Sequence, residues 1–265
     1  SRGTRGKAGT RSQGEDPVKL FIGCNDHDTL LLFSDRGVSY ALPAYRVPQC
    51  SRTAKGTPVV QLLPIPREEA ITSLLAVSEF NDDTDLLMLT QGGFIKRTRL
   101  SAFSNIRSNG LIAIGLEDGD ALTWVRLSIP GDSVLIGSKA GMTIHFRLSD
   151  DELRPLGRTA RGVRSMNLRA GDELVSMDVL PVELADQIAA SADDGDDEGT
   201  PASEGPWVLV ASAAGLGKRV PVTQFRLQKR AGMGLRAMKF RTDADQLVGL
   251  SVLGAGEDKL QVRQK

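Results

Sequence analysis

The feature that most restricts how this chain can fold is an internal repeat. Four stretches follow one plan: a short apolar run, a turn closing on glycine, a run mixing apolar and basic residues, a basic loop closing on a second glycine, and another alternating run. The first reads LLLFSDRG-VSYALPAYRV and SRTAKG-TPVVQLLP, and the second LLMLTQGG-FIKRTRLSAF and SNIRSNG-LIAIGL. The third reads VLIGSKAG-MTIHFRLS and GRTARG-VRSMNL, and the fourth VLVASAAG-LGKRVPVTQF and QKRAGMG-LRAMKF. The turn glycines are Gly37, Gly93, Gly141 and Gly215; the second set is Gly56, Gly110, Gly162 and Gly234. Within the repeats the two are 19, 17, 21 and 19 residues apart. Successive second glycines lie 54, 52 and then 72 residues apart. A fixed period of this length marks stacked copies of one supersecondary unit.

The unit reads as strands. Ile112, Ile114 and Leu116 alternate with Ala113, Gly115 and Glu117, and Val163, Ser165 and Asn167 with Arg164, Met166 and Leu168. Glycine at the end of each turn suits a hairpin position with positive φ. The best helical segment, Val182–Ala192, is short and uncapped. Several copies of about four strands each point to blades around an axis, an all-β, propeller-like architecture. The repeats divide as 16–65, 66–120, 121–173 and 174–246, with 247–265 starting a last blade. The longer final step comes from an acidic insertion, 183–206, and residues 1–15 form a basic, glycine-rich lead.

Charge follows the same organisation. Lysine plus arginine and aspartate plus glutamate both number 33. The insertion holds Glu183, Asp186, Asp193, Asp194, Asp196, Asp197, Glu198 and Glu204 and no base, so the remainder has eight more bases than acids. The insertion reads either as a solvated loop tolerated between strands or as an autoregulatory segment whose carboxylates compete with phosphates for the basic body.

The cations recur at two places in the repeat. Lys96, Arg97 and Arg99, then Arg147, then Lys218 and Arg219 follow the turn glycines. Arg52 and Lys55, then Arg107, then Arg158, Arg161 and Arg164, then Lys229, Arg230 and Arg236 flank the second glycines. Equivalent positions on a ring of blades predict a basic belt, suited to the phosphates of a bent duplex and indifferent to base identity. Aromatic residues make up 5% of the chain, which argues against stacking platforms for single strands. Cys24 and Cys50 form no CxxC pair and have only His27 and His145 as further nitrogen ligands, so they predict reduced structural thiols and no zinc site. Tyr40 and Tyr45 lie in a strand-like repeat, which argues against a catalytic role, and Trp124 and Trp207 begin apolar runs, which predicts a place in the core. No nucleophile–base pair, carboxylate dyad or metal cluster stands out, so the chain is expected to be no enzyme by itself.

On the stretches DTLLLFSDRGVSYALPAYRVP, GTPVVQLLPI, TQGGFIKRTRLSAF and TARGVRSMNLRAGDELVSM, the chain resembles the C-terminal β-pinwheel family of the DNA gyrase A subunit. That resemblance implies six four-stranded blades, of which this chain holds four complete repeats. The family's box, Q-R-R-G-G-K-G, is matched here by Arg2, Gly3, Arg5, Gly6 and Lys7, with Ser1 in place of a base and Thr4 in place of a glycine. By resemblance, Arg2, Arg5 and Lys7 join the DNA-binding set, and duplex DNA wraps on the rim to support ATP-dependent negative supercoiling. It also implies an A2B2 holoenzyme, in which the partners are the gyrase A N-terminal domain and the B subunit, with no membrane. The catalytic tyrosine, Mg²⁺ and ATP belong to other parts, leaving no cofactor in this domain. The implied location is the cytoplasm, at the nucleoid, with an organelle of bacterial origin left open. Two other readings stay open: the equivalent domain of topoisomerase IV, and a protein-interaction propeller, which would show exposed aromatics in place of recurrent cations.

Overall fold

The computed structural model describes residues 20–51, 54–184, 206–242 and 244–253. Its strands run in chain order as β1 (Thr29–Ser34), β2 (Val38–Pro43), β3 (Ile71–Val77), β4 (Asp85–Thr90), β5 (Phe94–Arg99), β6 (Leu111–Ile112), β7 (Leu122–Ser128) and β8 (Ser133–Ser138). They continue as β9 (Met142–Arg147), β10 (Val163–Arg164), β11 (Leu174–Leu180), β12 (Trp207–Ser212), β13 (Gly217–Pro221), β14 (Leu235–Arg236) and β15 (Leu247–Leu253). Among the described residues, single α-helical turns α1 (Val59–Leu62) and α2 (Asp150–Leu153) and 3-10 turns at Ala44–Arg46, Leu100–Phe103 and Val222–Gln224 interrupt them.

Four antiparallel sheets result, in the orders β3-β1-β2-β6, β10-β5-β4-β7, β11-β8-β9-β14 and β13-β12-β15. All eight repeat glycines have positive φ, between 75° and 98°. The all-β blade architecture read from the repeat is therefore the observed one. Each hairpin, β1–β2, β4–β5, β8–β9 and β12–β13, is closed by its turn glycine, and the next long strand pairs with the hairpin's first strand.

The sheets do not coincide with the sequence repeats. The run after each of Gly110, Gly162 and Gly234 crosses to the preceding blade, β6 pairing with β2, β10 with β5 and β14 with β9, whereas the run after Gly56, expected to be a strand, forms α1. Only two residues of each crossing run pair, because the expected alternation breaks there; Ala113 and Ile114 are both buried, as are Ser165 and Met166. Leu247–Leu253, expected to open a further blade, instead pairs with β12 in the fourth sheet, which has three strands among the described residues. Most of the segment expected to be helical, 182–192, and most of the acidic insertion lie outside the described residues.

The cores sit between blades. Leu31 and Phe33 of β1 pack with Leu86, Met88 and Phe103 of the second blade. On its other side β4 sends Leu87 and Leu89 to meet Val134, Ile136 and Phe146 of the third. Leu135 in turn joins Val208 and Val210 of the fourth. A strand buried on both faces needs apolar residues at consecutive positions, which is why LLML and VLIG lack clean alternation. Strands β4 and β8 are buried at every position, whereas β12 alternates between buried and half-buried because no described element covers its far face. The outer face of the first blade is covered by its own chain, with Leu63 and Ile65 beside Leu30, Leu32 and Tyr40.

Candidate nucleic-acid interface

The loops that close on the second glycines are brought together by a bond repeated at three joints. The carbonyl of Gly37 accepts from the N–H of Ala113 at 2.8 Å, that of Gly93 from Ser165 at 2.8 Å, and that of Gly141 from Ala237 at 2.8 Å. The donor always lies three residues beyond a second glycine. The glycines are needed for this approach. At Gly162, φ is +98° and a β-carbon would stand 2.5 Å from the carbonyl oxygen of Ile95. At Gly56 nothing lies within 4 Å of that position, since no described blade precedes the first.

The loops are then joined to one another. Gly115 N–H donates to Ala160 (3.2 Å), Ala231 N–H to Ser165 (2.9 Å), Asn167 N–H to Gly232 (2.9 Å), and Arg230 Nη1 to the Arg164 carbonyl (2.7 Å). Residues 105–117, 157–167 and 229–238 thereby form one hydrogen-bonded ledge across three joints. On it Arg107, Arg161, Arg164, Lys229 and Arg236 are exposed, and Arg158 and Arg230 are half-buried. Between the first two loops a groove of about 660 Å³ is lined by Asn105, Arg107, Asn109, Arg158 and Thr159 among others.

Several of these cations are held in place. Arg161 pairs with Glu117 and lies over the Phe94 ring at 4.4 Å; Arg164 lies over the same ring at 5.1 Å. A guanidinium stacked on an aromatic face loses little further freedom when it takes up a phosphate. Arg230 is a brace: its Nε donates to the Glu152 carbonyl at 2.8 Å, and its backbone N–H to the Glu152 carboxylate at 3.1 Å.

Other expected ligands sit elsewhere. Lys96 and Arg97 are fully buried and meet no polyanion at the surface. Both faces of β5 are covered, so side chains that alternate along it have no solvent side to reach. Lys96 Nζ donates to the carbonyls of Gly157 (2.9 Å) and Arg158 (2.5 Å). Arg97 donates to the carbonyls of Leu153 (2.5 Å) and Leu148 (3.0 Å), contacts Asp150, and lies 3.3 Å from the buried Asp85 carboxylate. Arg99, half-buried at the end of β5, pairs with the same carboxylate at 3.3 Å. Burial pushes Asp85 upward in pKa, and the charges of Arg99 and Arg97 oppose that rise.

Lys218 and Arg219 are exposed on β13, with Arg219 5.2 Å over the Trp207 ring, and belong to none of the three ledge loops. Arg147 is exposed at the end of β9, and Lys55 in the first-blade loop. Arg2, Arg5, Lys7 and Arg52 lie outside the described residues. Two further exposed cations, Arg169 and Arg241, recur seven residues after Gly162 and Gly234. That fixed offset was the signal for them. Trp124 is buried as expected, while Trp207 is only half-buried. Of the tyrosines, Tyr40 is buried and donates to Glu69 at 3.0 Å, and Tyr45 is exposed, as are Cys24 and Cys50.

Comparison with known proteins bears on the family and the fold. The profile of the family described as DNA gyrase C-terminal domain, beta-propeller, matches residues 28–78, 84–128, 132–181 and 206–253, one segment for each sheet. The DNA gyrase A subunit of Synechocystis is 54% identical over the whole of this chain, which spans 32% of that relative's length. The chloroplastic/mitochondrial DNA gyrase A subunit of Arabidopsis thaliana is 42% identical over 96% of this chain and 26% of its own length. The chain thus spans about a third or less of these relatives. A solved C-terminal domain of DNA topoisomerase IV superposes with a TM-score of 0.69 at 24% identity, covering 86% of this chain and 64% of the other. A DNA gyrase A C-terminal domain does so with 0.54 at 21%, covering 92% and 89%. These two likenesses concern the fold. With its repeats matched by the profile one after another, the chain belongs to the DNA gyrase C-terminal domain family.

Proposed function

We propose that this chain binds duplex DNA through its phosphate backbone and bends it along the second-glycine ledge. It does so as the wrapping part of the A subunit of a type II topoisomerase that supercoils DNA at the expense of ATP. One observation carries the reading: three consecutive basic loops are hydrogen-bonded into a single ledge that leaves Arg107, Arg161, Arg164, Lys229 and Arg236 exposed. Fixed cations spaced along a curved support attract phosphates through counterion release and distribute the cost of bending over many contacts. Partners follow from the same reading: the N-terminal part of the same polypeptide and a B subunit, in an A2B2 assembly that supplies the catalytic tyrosine, Mg²⁺ and ATP hydrolysis. The cellular setting that goes with this reading is the bacterial cytoplasm at the nucleoid or, as the name of the plant relative has it, a chloroplast or mitochondrion.

The test is binding of the full-length protein to linear duplex at several salt concentrations, with relaxed circles in parallel to detect trapped writhe. A log–log salt slope of several units, about 0.9 per phosphate contact, together with positive trapped writhe supports the proposal. Binding without writhe indicates a domain of the topoisomerase IV kind, and absence of binding at low salt rejects DNA as the ligand.

A further inference from the structure

Four residues after each turn glycine stand Ala41, Arg97, His145 and Arg219. In the second and third blades this residue reaches into the chain of the next blade where it leaves the hairpin. Arg97 holds the carbonyls of Leu148 and Leu153 and the Asp150 carboxylate, all on the segment that runs from β9 into the third blade's basic loop. Its own carbonyl accepts from Leu156 N–H at 2.8 Å. Lys96, beside it, holds Gly157 and Arg158. One dipeptide of β5 thus fastens residues 148–158, the lead into Arg158, Arg161 and Arg164.

The third blade repeats the device with a different side chain. His145 Nδ1 donates to the Phe225 carbonyl at 2.5 Å, so Nε2 accepts from the Ser133 hydroxyl at 2.7 Å, and the His145 carbonyl accepts from Gln228 N–H at 2.8 Å. That clip leads into Lys229 and Arg230. In the first blade the position is Ala41, which has no polar atom to offer. The next loop is held there by the Gly37 bonds, by the Ser39 hydroxyl donating to the Leu111 carbonyl at 2.9 Å, and by packing of Ile106 and Leu111.

We infer that Arg97 and His145 are positioning residues that fix the angle between successive blades, and with it the curvature of the basic ledge. They touch no DNA; they set where their neighbours' cations stand. The first joint has no clip at this position and is tied from its serines and threonine instead, with Thr72 Oγ1 donating to the Leu122 carbonyl at 2.8 Å and Ser73 Oγ to the Thr123 carbonyl at 3.1 Å. This rests on the DNA-wrapping reading above.

The test uses Arg97→Lys and Asp150→Ala in the full-length protein. The lysine keeps the charge but lacks the planar fork that reaches three partners. Asp150 is largely exposed, so its removal leaves the core intact. The expected result is about tenfold faster hydrogen exchange at Leu156 and Ser165 N–H, with β1 and β12 unchanged. Writhe trapped per bound molecule falls by about half, while low-salt affinity stays within about twofold for Arg97→Lys. For Asp150→Ala, simple electrostatics predicts tighter binding and undiminished writhe, since an acid leaves the neighbourhood of a polyanion; positioning predicts less writhe. Unchanged exchange in both variants overturns the inference without reference to DNA. A fall in affinity that accounts for all the lost writhe does so as well. Failure of the unmodified protein to trap writhe tells against the wrapping function itself, and the exchange measurement still decides whether the clips exist.

Discussion

Lys96 shows how a charged side chain can serve a basic surface from beneath it. Its ammonium is closed off from solvent and held by two carbonyl oxygens of the loop above. Burial, and secondarily the charge of Arg158, push its pKa down from 10.5 to about 7. Between those two values the unfolded chain binds a proton that the folded chain does not. Stability therefore rises with pH across that window, by at most about 1.4 kcal/mol per pH unit. Below about pH 7 both states are protonated and the dependence vanishes. Replacing Lys96 by Met removes this contribution, so the Tm of the native protein minus that of Lys96→Met is expected to rise from pH 7 to pH 9.5. A constant difference across that range would show that the amine is charged in the fold. Two donors remain on the neutral amine, so the loop stays tied in either state.

At the scale of elements, much of the fold was legible because backbone geometry and sequence obey the same local rules. A hairpin whose turn needs positive φ selects glycine, and all eight expected glycines have it. The crossing of each short strand to the preceding blade was not legible. Strand pairing partners are set by three-dimensional neighbours, and β6, β10 and β14 are too short for their pattern to name one. The same limit affected the site. A cation on an isolated strand with one open face points to solvent, but β5 has blades on both sides, so Lys96 and Arg97 became internal ties. The loop cations cluster around glycines that hold their place, recurring four before them (Arg52, Arg158, Arg230), one before (Lys55, Arg161) and two after (Arg164, Arg236), so a basic ledge was foreseeable although Arg107 and Lys229 have no counterparts in the other repeats. Two residues beyond the second glycines stand Ile112, Arg164 and Arg236, all exposed and paired in equivalent registers with Val38, Phe94 and Met142. Ile112 is the apolar exception, 54% exposed. Ile112→Arg is expected to add one phosphate contact, steepening the log–log salt slope of duplex binding by about 0.9. An unchanged slope would place β6 off the path of the duplex.

At the scale of the whole molecule, the basic ledge and the acidic insertion set opposite charges on one chain. The insertion joins β11 to β12, between the third and fourth blades, and its described ends are tied down: Val182 N–H donates to Asp132 at 2.9 Å and the Pro206 carbonyl accepts from Val222 at 3.1 Å. Whatever path residues 185–205 take, seven carboxylates are tethered to the two blades whose joint carries Lys229, Arg230 and Arg236. Tethering raises the local concentration of a weak competitor far above what free acid would reach. Replacing 185–205 by a short Gly/Ser linker is therefore expected to tighten duplex binding by about tenfold at roughly 50 mM salt. The advantage should shrink towards nothing near about 0.5 M, because screening shortens the reach of charge to a few ångströms. Trapped writhe per bound molecule should be unaltered, since the clips that set curvature are untouched. Equal affinities at low salt would mean that the insertion is a solvated connection without regulatory weight. A change in writhe at equal occupancy would mean that it acts on the angle between the third and fourth blades.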